Sequence, residues 1–127
     1  IKRPGKDVTL ITYSLMTLKC LEAAELLAKE GIDAEVLDLR TLYPLDRQTI
    51  LQSVQKTNRA AIVHEAVKRG GVGGDIAAMI MEEAFDDLDA PVIRIAGKNT
   101  TIPYNLNLEK LCVPCVADIV AGVRSLM

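Results

Sequence analysis

VLDLRTLYPLD at residues 36–46 and the shorter VHEA at residues 63–66 decide the fold of this chain. In each stretch an apolar run is followed at once by charged or turn-forming residues. Buried strands of a parallel α/β sheet end in this way, and their polar ends collect at the carboxyl edge of the sheet. We therefore predict an α/β fold in which these two strand ends lie at the carboxyl edge of the sheet, where functional residues are expected.

Strand and helix patterns alternate along the rest of the chain. Apolar stretches rich in β-branched residues predict four strands, at residues 8–13, 34–39, 60–63 and 90–95. Helical spacing of apolar residues predicts helices at residues 15–30, 75–88 and 116–126, with a short one after Asp46. Residues 97–114 contain two prolines and show little periodicity, so we expect a loop with at most one turn of helix.

Composition narrows the class of protein. A chain of 127 residues with 50% hydrophobic residues fits one domain with a sizeable core. Its 15 basic and 17 acidic residues leave a net charge of −2, which argues against a nucleic-acid-binding face. No apolar run approaches the roughly 18 residues of a membrane span, and the start lacks the apolar core of a signal peptide. We expect an intracellular protein with residues 1–6 as the remnant of a linker.

His64 and Glu65 are the residues best suited to chemistry. An imidazole titrates near neutral pH and a neighbouring carboxylate can shift it, so the pair resembles a general acid/base or a metal ligand set. Adjacent residues of a strand point to opposite sides, however, and His64 is the only histidine, so zinc would have no second imidazole. We interpret both residues as hydrogen-bonding or interface residues.

The loop GGVGG at residues 70–74 offers backbone N–H groups before a helix, as a phosphate site would. It matches neither GxGxxG nor GxxxxGK[ST], and it lies several residues beyond its strand. We therefore predict that Gly70, Gly71, Gly73 and Gly74 pack their backbone against a neighbour, and we count them as interface candidates.

The remaining polar motifs have simpler interpretations. CVPC at residues 112–115 has the form of a thiol redox pair, but it lies far from a first strand, where such pairs occur. The acidic residues of 82–89 indicate a solvated helix face or a surface for a basic partner. Asp46 is expected to cap a helix and Asp38 to bond the turn at Thr41, which leaves no catalytic carboxylate pair.

Five motifs in one order carry a resemblance that covers nearly the whole chain. They are VTLITYS at residues 8–14, DLRTLYPLD at 38–46, HEAVKRGGVGGDIA at 64–77, EEAFDDLDAPVIRI at 82–95 and IPYN at 102–105. The set resembles the C-terminal domain of the β subunit of 2-oxo acid dehydrogenase E1 components, most like the pyruvate enzyme. Two departures are NTTIPY at residues 99–104, where relatives often read DTPxPY, and Cys115, where a helix-capping serine is common.

The resemblance implies a fold and a division of labour. It implies a three-layer α/β/α domain over residues 7–127, with a mostly parallel five-stranded sheet that includes an antiparallel edge strand. In that family, thiamin diphosphate and Mg²⁺ are bound by the α subunit and the N-terminal domain of β, which also holds the catalytic glutamate and histidine. The resemblance therefore implies no catalytic, cofactor or metal residue in this chain.

It also implies partners: the E1 α subunit, a second β subunit and the subunit-binding domain of the E2 acyltransferase. By the LDAP motif, Asp89 matches an acidic position expected to meet basic residues of E2. The intact parent would oxidatively decarboxylate pyruvate and acylate lipoyl-E2, in the bacterial cytoplasm or an organelle matrix. Alternatives are a branched-chain 2-oxo acid or acetoin dehydrogenase β subunit, a stand-alone small-molecule-binding α/β domain, and a thiol redox module.

Overall fold

Four parallel strands and five helices make up the computed structural model, which describes residues 1–127. The strands are β1 Val8–Thr12, β2 Ala34–Asp38, β3 Ala60–Val67 and β4 Ile93–Gly97. The helices are α1 Leu15–Lys29, α2 Arg47–Thr57, α3 Gly73–Glu83, α4 Leu106–Cys112 and α5 Val116–Arg124. A 3₁₀ turn, Phe85–Asp87, lies between α3 and β4.

The sheet has the order β2-β1-β3-β4, and every neighbouring pair is parallel. Leu10 of β1 lies opposite Val36 on one side and Ala61 on the other. The chain thus moves from β1 to one side of the sheet and then returns past β1 to the other side. The topological switch point, where open α/β sheets form a crevice, lies at the carboxyl ends of β1 and β3.

Helices cover both faces of the sheet, which confirms the α/β/α class. One core lies under α1 and α5 and contains Leu10, Val36 and Val63. The other lies under α2 and α3 and contains Ile11 and Ile62. Because the central strands are buried on both faces, their sequences are apolar at consecutive positions rather than at alternate ones.

The sheet has four strands where five were expected. The antiparallel contact at the outer edge of β2 is a single bridge between Arg3 and Val36. The Val36 N–H donates to the Arg3 carbonyl at 2.9 Å, and the Lys2 N–H donates to the Val36 carbonyl at 2.8 Å. The next outward-facing carbonyl of β2, that of Ala34, accepts from the Arg3 side chain, so the backbone pairing stops at this bridge. The segment called a linker remnant therefore lies hydrogen-bonded along β2 in this structure.

The expectation of a loop at residues 97–114 is wrong for its second half, where α4 makes two turns. Asn105 caps this helix, since its Oδ1 accepts from the N–H groups of Asn107 at 2.9 Å and Leu108 at 3.3 Å. An exposed helix buries no single face, so its apolar residues show no helical period. In addition, α3 ends at Glu83, five residues before the predicted end at Leu88.

Candidate functional site

β3 places His64 inside the domain at the carboxyl edge of the sheet. The side chain is fully buried and its ring stacks on Tyr13, with ring centroids 6.2 Å apart and planes 15° apart. Nδ1 lies 3.0 Å from the Ala66 carbonyl, which can only accept, so Nδ1 carries the proton. Nε2 is buried without a hydrogen-bond partner.

The His64 imidazole is kept neutral by its surroundings. Burial lowers its pKa, the hydrogen bond to Ala66 opposes that effect, and the positive charge of Arg94 lowers the pKa further. A neutral ring with a free Nε2 has the chemistry of a general base. It lacks access, however, because a base must come within hydrogen-bond reach of its substrate.

The glycine loop, residues 70–74, closes over this ring. A Cβ added to Gly73 would lie 2.4 Å from His64 Nε2, and one added to Gly71 would lie 3.0 Å from His64 Cε1. Gly70 has a φ of +71°, a conformation that favours glycine. The loop therefore packs its backbone against the histidine, and the space in which a phosphate would sit is filled by the ring.

Glu65 points to the opposite side of β3, as strand alternation predicts. It is half-buried and borders a cleft of about 360 Å³ with Leu15, Lys19, Leu106 and Lys110. Its charge adds to the effect of burial in raising the pKa of Tyr13. His64 and Glu65 consequently do not act on a common point, although they are neighbours in sequence.

The two other strand ends form a separate shallow pocket. Ser14, at the start of α1, has a φ of +56°, and Arg40, after β2, has a φ of +58°. Asp38 Oδ1 accepts from the Arg40 N–H at 3.2 Å, and Asp38 Oδ2 lies 3.3 Å from Arg40 Nη1. The expected bond from Asp38 to the turn at Thr41 is therefore made one residue earlier.

Asp46 is the N-cap of α2, as predicted. Its Oδ1 accepts from the Thr49 N–H at 3.1 Å and its Oδ2 from the Thr49 hydroxyl at 2.7 Å, and these bonds lower the pKa of Asp46. Asp38 and Asp46 are thus each committed to local turns. The chain contains no group of three or more His, Cys, Asp or Glu side chains that could hold a metal ion.

Asp89 borders a second apolar cleft, at the carboxyl end of α3. This α3 cleft has a volume of about 400 Å³ and contains Met81, Phe85, Leu88 and Pro91 in its lining. The Asp89 carboxylate is 59% exposed and lies 3.5 Å from Arg59 Nη2. Four more acidic residues lie close to Asp89 in the sequence, namely Glu82, Glu83, Asp86 and Asp87.

The sequence interpretation missed a third surface, formed by α4 and the segment before it. Tyr104 is fully exposed, and Leu106 and Leu111 are 72% and 63% exposed. Leu15 and Leu18 of α1 are also exposed, and the cleft beside Glu65 joins Leu15 to Leu106. Large apolar side chains in a segment without helical periodicity were the available signal. We call these residues the α4 surface.

The two thiols of the CVPC motif occupy ordinary structural positions. Cys112 ends α4, Cys115 is the N-cap of α5, and both are free. The Cys115 N–H donates to Asp118 Oδ2 at 2.8 Å, which is half of a capping box.

No helix of the chain is long and apolar enough to cross a bilayer.

Comparisons with known proteins agree on one family. The family model described as "Transketolase, C-terminal domain" matches residues 1–119. The rice protein "Pyruvate dehydrogenase E1 component subunit beta-2, mitochondrial" is 50% identical over 98% of this chain and 33% of its own length. "Pyruvate dehydrogenase E1 component subunit beta" of Rickettsia felis is 47% identical over 98% of this chain and 38% of its own length.

Among solved structures, "Split gene transketolase, inactive beta4 tetramer" matches with a TM-score of 0.84 and 31% identity, over 98% of this chain and 39% of that one. The chain thus spans about a third of the length of the proteins that it matches.

Proposed function

The chain belongs to the family of transketolase C-terminal domains, and from this premise we propose that it is the C-terminal domain of a pyruvate dehydrogenase E1 β subunit, where it serves assembly. About 50% identity to such a subunit over 98% of the chain carries the proposal. The parent would oxidatively decarboxylate pyruvate and acylate lipoyl-E2. Relatives named mitochondrial or found in bacteria support an organelle matrix or a bacterial cytoplasm.

The residues of this chain do not fit a thiamin diphosphate site. A diphosphate bound by a glycine loop needs open space in front of the backbone N–H groups, but Gly71 and Gly73 pack against the His64 ring. We therefore place the cofactor in the parts of the parent outside this chain. The filled loop also weakens the alternative of a stand-alone small-molecule-binding domain.

Calorimetry tests this division of labour. The chain is titrated with thiamin diphosphate in the presence of Mg²⁺, and we expect no saturable binding at micromolar concentrations. The same titration of the intact E1, assembled from α and β subunits, is the positive control. Saturable binding to the chain alone at micromolar concentrations would refute the assembly assignment.

Exposed apolar surface supports the assembly role. Monomeric proteins rarely leave several large apolar side chains exposed together, and such patches mark interfaces. The α4 surface exposes Tyr104, Leu106 and Leu111, and the α3 cleft exposes Phe85. We propose that the α4 surface contacts the E1 α subunit or a second β subunit. The matched transketolase is described as a "beta4 tetramer", which is consistent with contact between β chains.

The α3 cleft is the surface that we propose for the E2 subunit-binding domain. It combines an apolar lining with one carboxylate, Asp89, which suits a partner that presents a basic residue beside an apolar contact. Asp89 has 59% of its side chain exposed, so a partner can reach it beside Arg59.

The charge of Asp89 provides the test of this contact. We expect Asp89→Lys to weaken binding of the E2 subunit-binding domain by about tenfold at low salt, and by less at high salt. Glu25→Lys makes the same charge change on the exposed side of α1 and should leave affinity unchanged. Unchanged affinity of Asp89→Lys at low salt, in a variant with normal thermal unfolding, would remove Asp89 from the contact.

A further inference from the structure

Three basic residues, Lys68, Arg94 and Lys98, line one cleft beside β3 and β4. Lys68 is the first residue after β3, and its N–H donates to the Gly97 carbonyl at the end of β4. Arg94 lies within β4, and Lys98 is the first residue after it. They border a cleft of about 310 Å³ that Cys112 and Pro114 close on one side. The lower limit for small-molecule pockets is roughly 300 Å³, so the cleft is large enough for a small ligand.

These cations form no ion pairs in the chain, since none of the six ion pairs involves Lys68, Arg94 or Lys98. Arg94 is half-buried, and its Nη1 donates to the Lys68 carbonyl at 3.0 Å, a neutral acceptor. A half-buried guanidinium without a carboxylate partner, in a cleft that two lysines also line, favours the binding of an external anion.

One carboxylate borders the same cleft, and it is already engaged. Asp118 accepts from the Cys115 N–H at 2.8 Å, and this bond is the main reason why its pKa is lowered. Lys98 contributes to the same shift from a greater distance, as does Lys19. Three cations against one carboxylate leave two positive charges in the cleft.

Backbone hydrogen bonds fix the segments that carry these charges. The Lys68 N–H donates to the Gly97 carbonyl, and the Lys98 N–H donates to the Cys112 carbonyl, both at 2.9 Å. The Arg69 N–H donates to Asn99 Oδ1 at 2.8 Å, which ties the two loops together once more. Holding like charges close together in advance lowers the ordering cost of binding an anion.

We propose that this cleft binds a small multivalent anion, held by Lys68, Arg94 and Lys98. Its ligand carries at least two closely spaced negative charges, as a phosphorylated metabolite or a di- or tricarboxylic acid does. Arg94 supplies a planar fork of donors for two oxygens of one phosphate or carboxylate group, and the lysines add point charges.

Titration of the isotope-labelled chain tests the proposal. Pyrophosphate and citrate are added separately at constant ionic strength, and amide NMR signals of residues 68, 97 and 98 are followed. We expect saturable shifts at these residues with submillimolar to millimolar affinity. Tighter binding of pyrophosphate would assign a phosphorylated ligand, and tighter binding of citrate a carboxylic acid; sodium chloride should not produce the same shifts.

Charge-removing variants complete the test. Lys98→Gln and Arg94→Gln should each weaken the binding by about tenfold, because each removes a charge-assisted hydrogen bond. Lys29→Gln removes an exposed lysine at the end of α1 and should not change the affinity. Lys98 is exposed, so its variant should fold even if Arg94→Gln does not. Absence of saturation up to about 10 mM, or equal weakening by Lys29→Gln, would overturn the proposal.

Discussion

Replacing Gly73 by alanine tests how closely the glycine loop encloses His64. Gly73 is the first residue of α3, and its φ is not positive, so alanine meets no backbone strain there. The new Cβ would lie 2.4 Å from His64 Nε2, 2.7 Å from His64 Cδ2 and 3.3 Å from Ile62 Cγ2. Carbon atoms do not approach ring atoms so closely, and either the ring or the start of α3 has to move.

The ring has little room to yield. It is fully buried, stacks on Tyr13 and is bonded through Nδ1 to the Ala66 carbonyl at 3.0 Å. Adding a methyl group to a well-packed interior costs about 1–3 kcal/mol. Alanine regains at most about 1 kcal/mol over glycine from helix propensity. We therefore expect Gly73→Ala to lower the free energy of unfolding by about 1–2 kcal/mol.

Gly74→Ala is the matched control, because it makes the same change one residue later. Its Cβ would meet only Arg94 Nη1, at an ordinary distance of 3.4 Å. We expect this variant to be as stable as the original chain or more stable by up to about 1 kcal/mol. Urea denaturation followed by circular dichroism measures both, with equal m-values as the condition for comparison.

A double variant identifies the steric cause. If the cost of Gly73→Ala comes from the imidazole, it should fall by at least about 1 kcal/mol in a His64→Ala background, since neighbouring residues couple by this amount. Equal stability of the Gly73→Ala and Gly74→Ala chains would refute the enclosed geometry. An undiminished cost in the His64→Ala background would refute the imidazole as its cause.

Two further predictions concern titration and capping. The pKa of His64 is lowered from 6.5, so its stabilisation is complete above about pH 6.5 and declines as the pH falls toward the native pKa, by at most about 1.4 kcal/mol per pH unit. The difference in unfolding free energy between the original chain and His64→Gln should therefore narrow on acidification in urea titrations, and a constant difference would contradict this. Cys115→Ser should raise the unfolding free energy by up to about 1 kcal/mol, because a hydroxyl is a better N-cap. Cys112→Ser lies at the end of α4 and should give no gain, and a loss of stability at Cys115 would contradict the capping argument.

The parts of the fold that follow from sequence are those buried on both sides. β1, β2 and the start of β3 pack between two helical layers, so their apolar runs are unambiguous. α4 could not be found in this way because its three leucines, Leu106, Leu108 and Leu111, are all exposed. Its cap, Asn105, was the one local signal, and a single asparagine occurs as often in turns.

Some features of the candidate site could also be predicted from the sequence, and others could not. Alternation along a strand is enough to predict that His64 and Glu65 face opposite sides. Enclosure of His64 by residues 70–74 depends on how a loop folds back, which no periodicity encodes. The cluster of Lys68, Arg94 and Lys98 depends on the pairing of β3 with β4, so residues about thirty positions apart become neighbours only once the sheet order is known.

The carboxyl edge of the sheet is therefore covered by a loop at β3 and exposed to solvent at the end of β4. At β3 the glycine loop covers His64, which makes this position part of the interior and sensitive to the volume of residue 73. At the end of β4, Lys98 and the nearby Lys68 are exposed and form no ion pairs. Because Gly73→Ala acts on packing and Lys98→Gln on charge, each should leave the other measurement unchanged. Anion affinity lost in a folded Gly73→Ala chain would mean that the loop positions Arg94, and it would join the two features into one site.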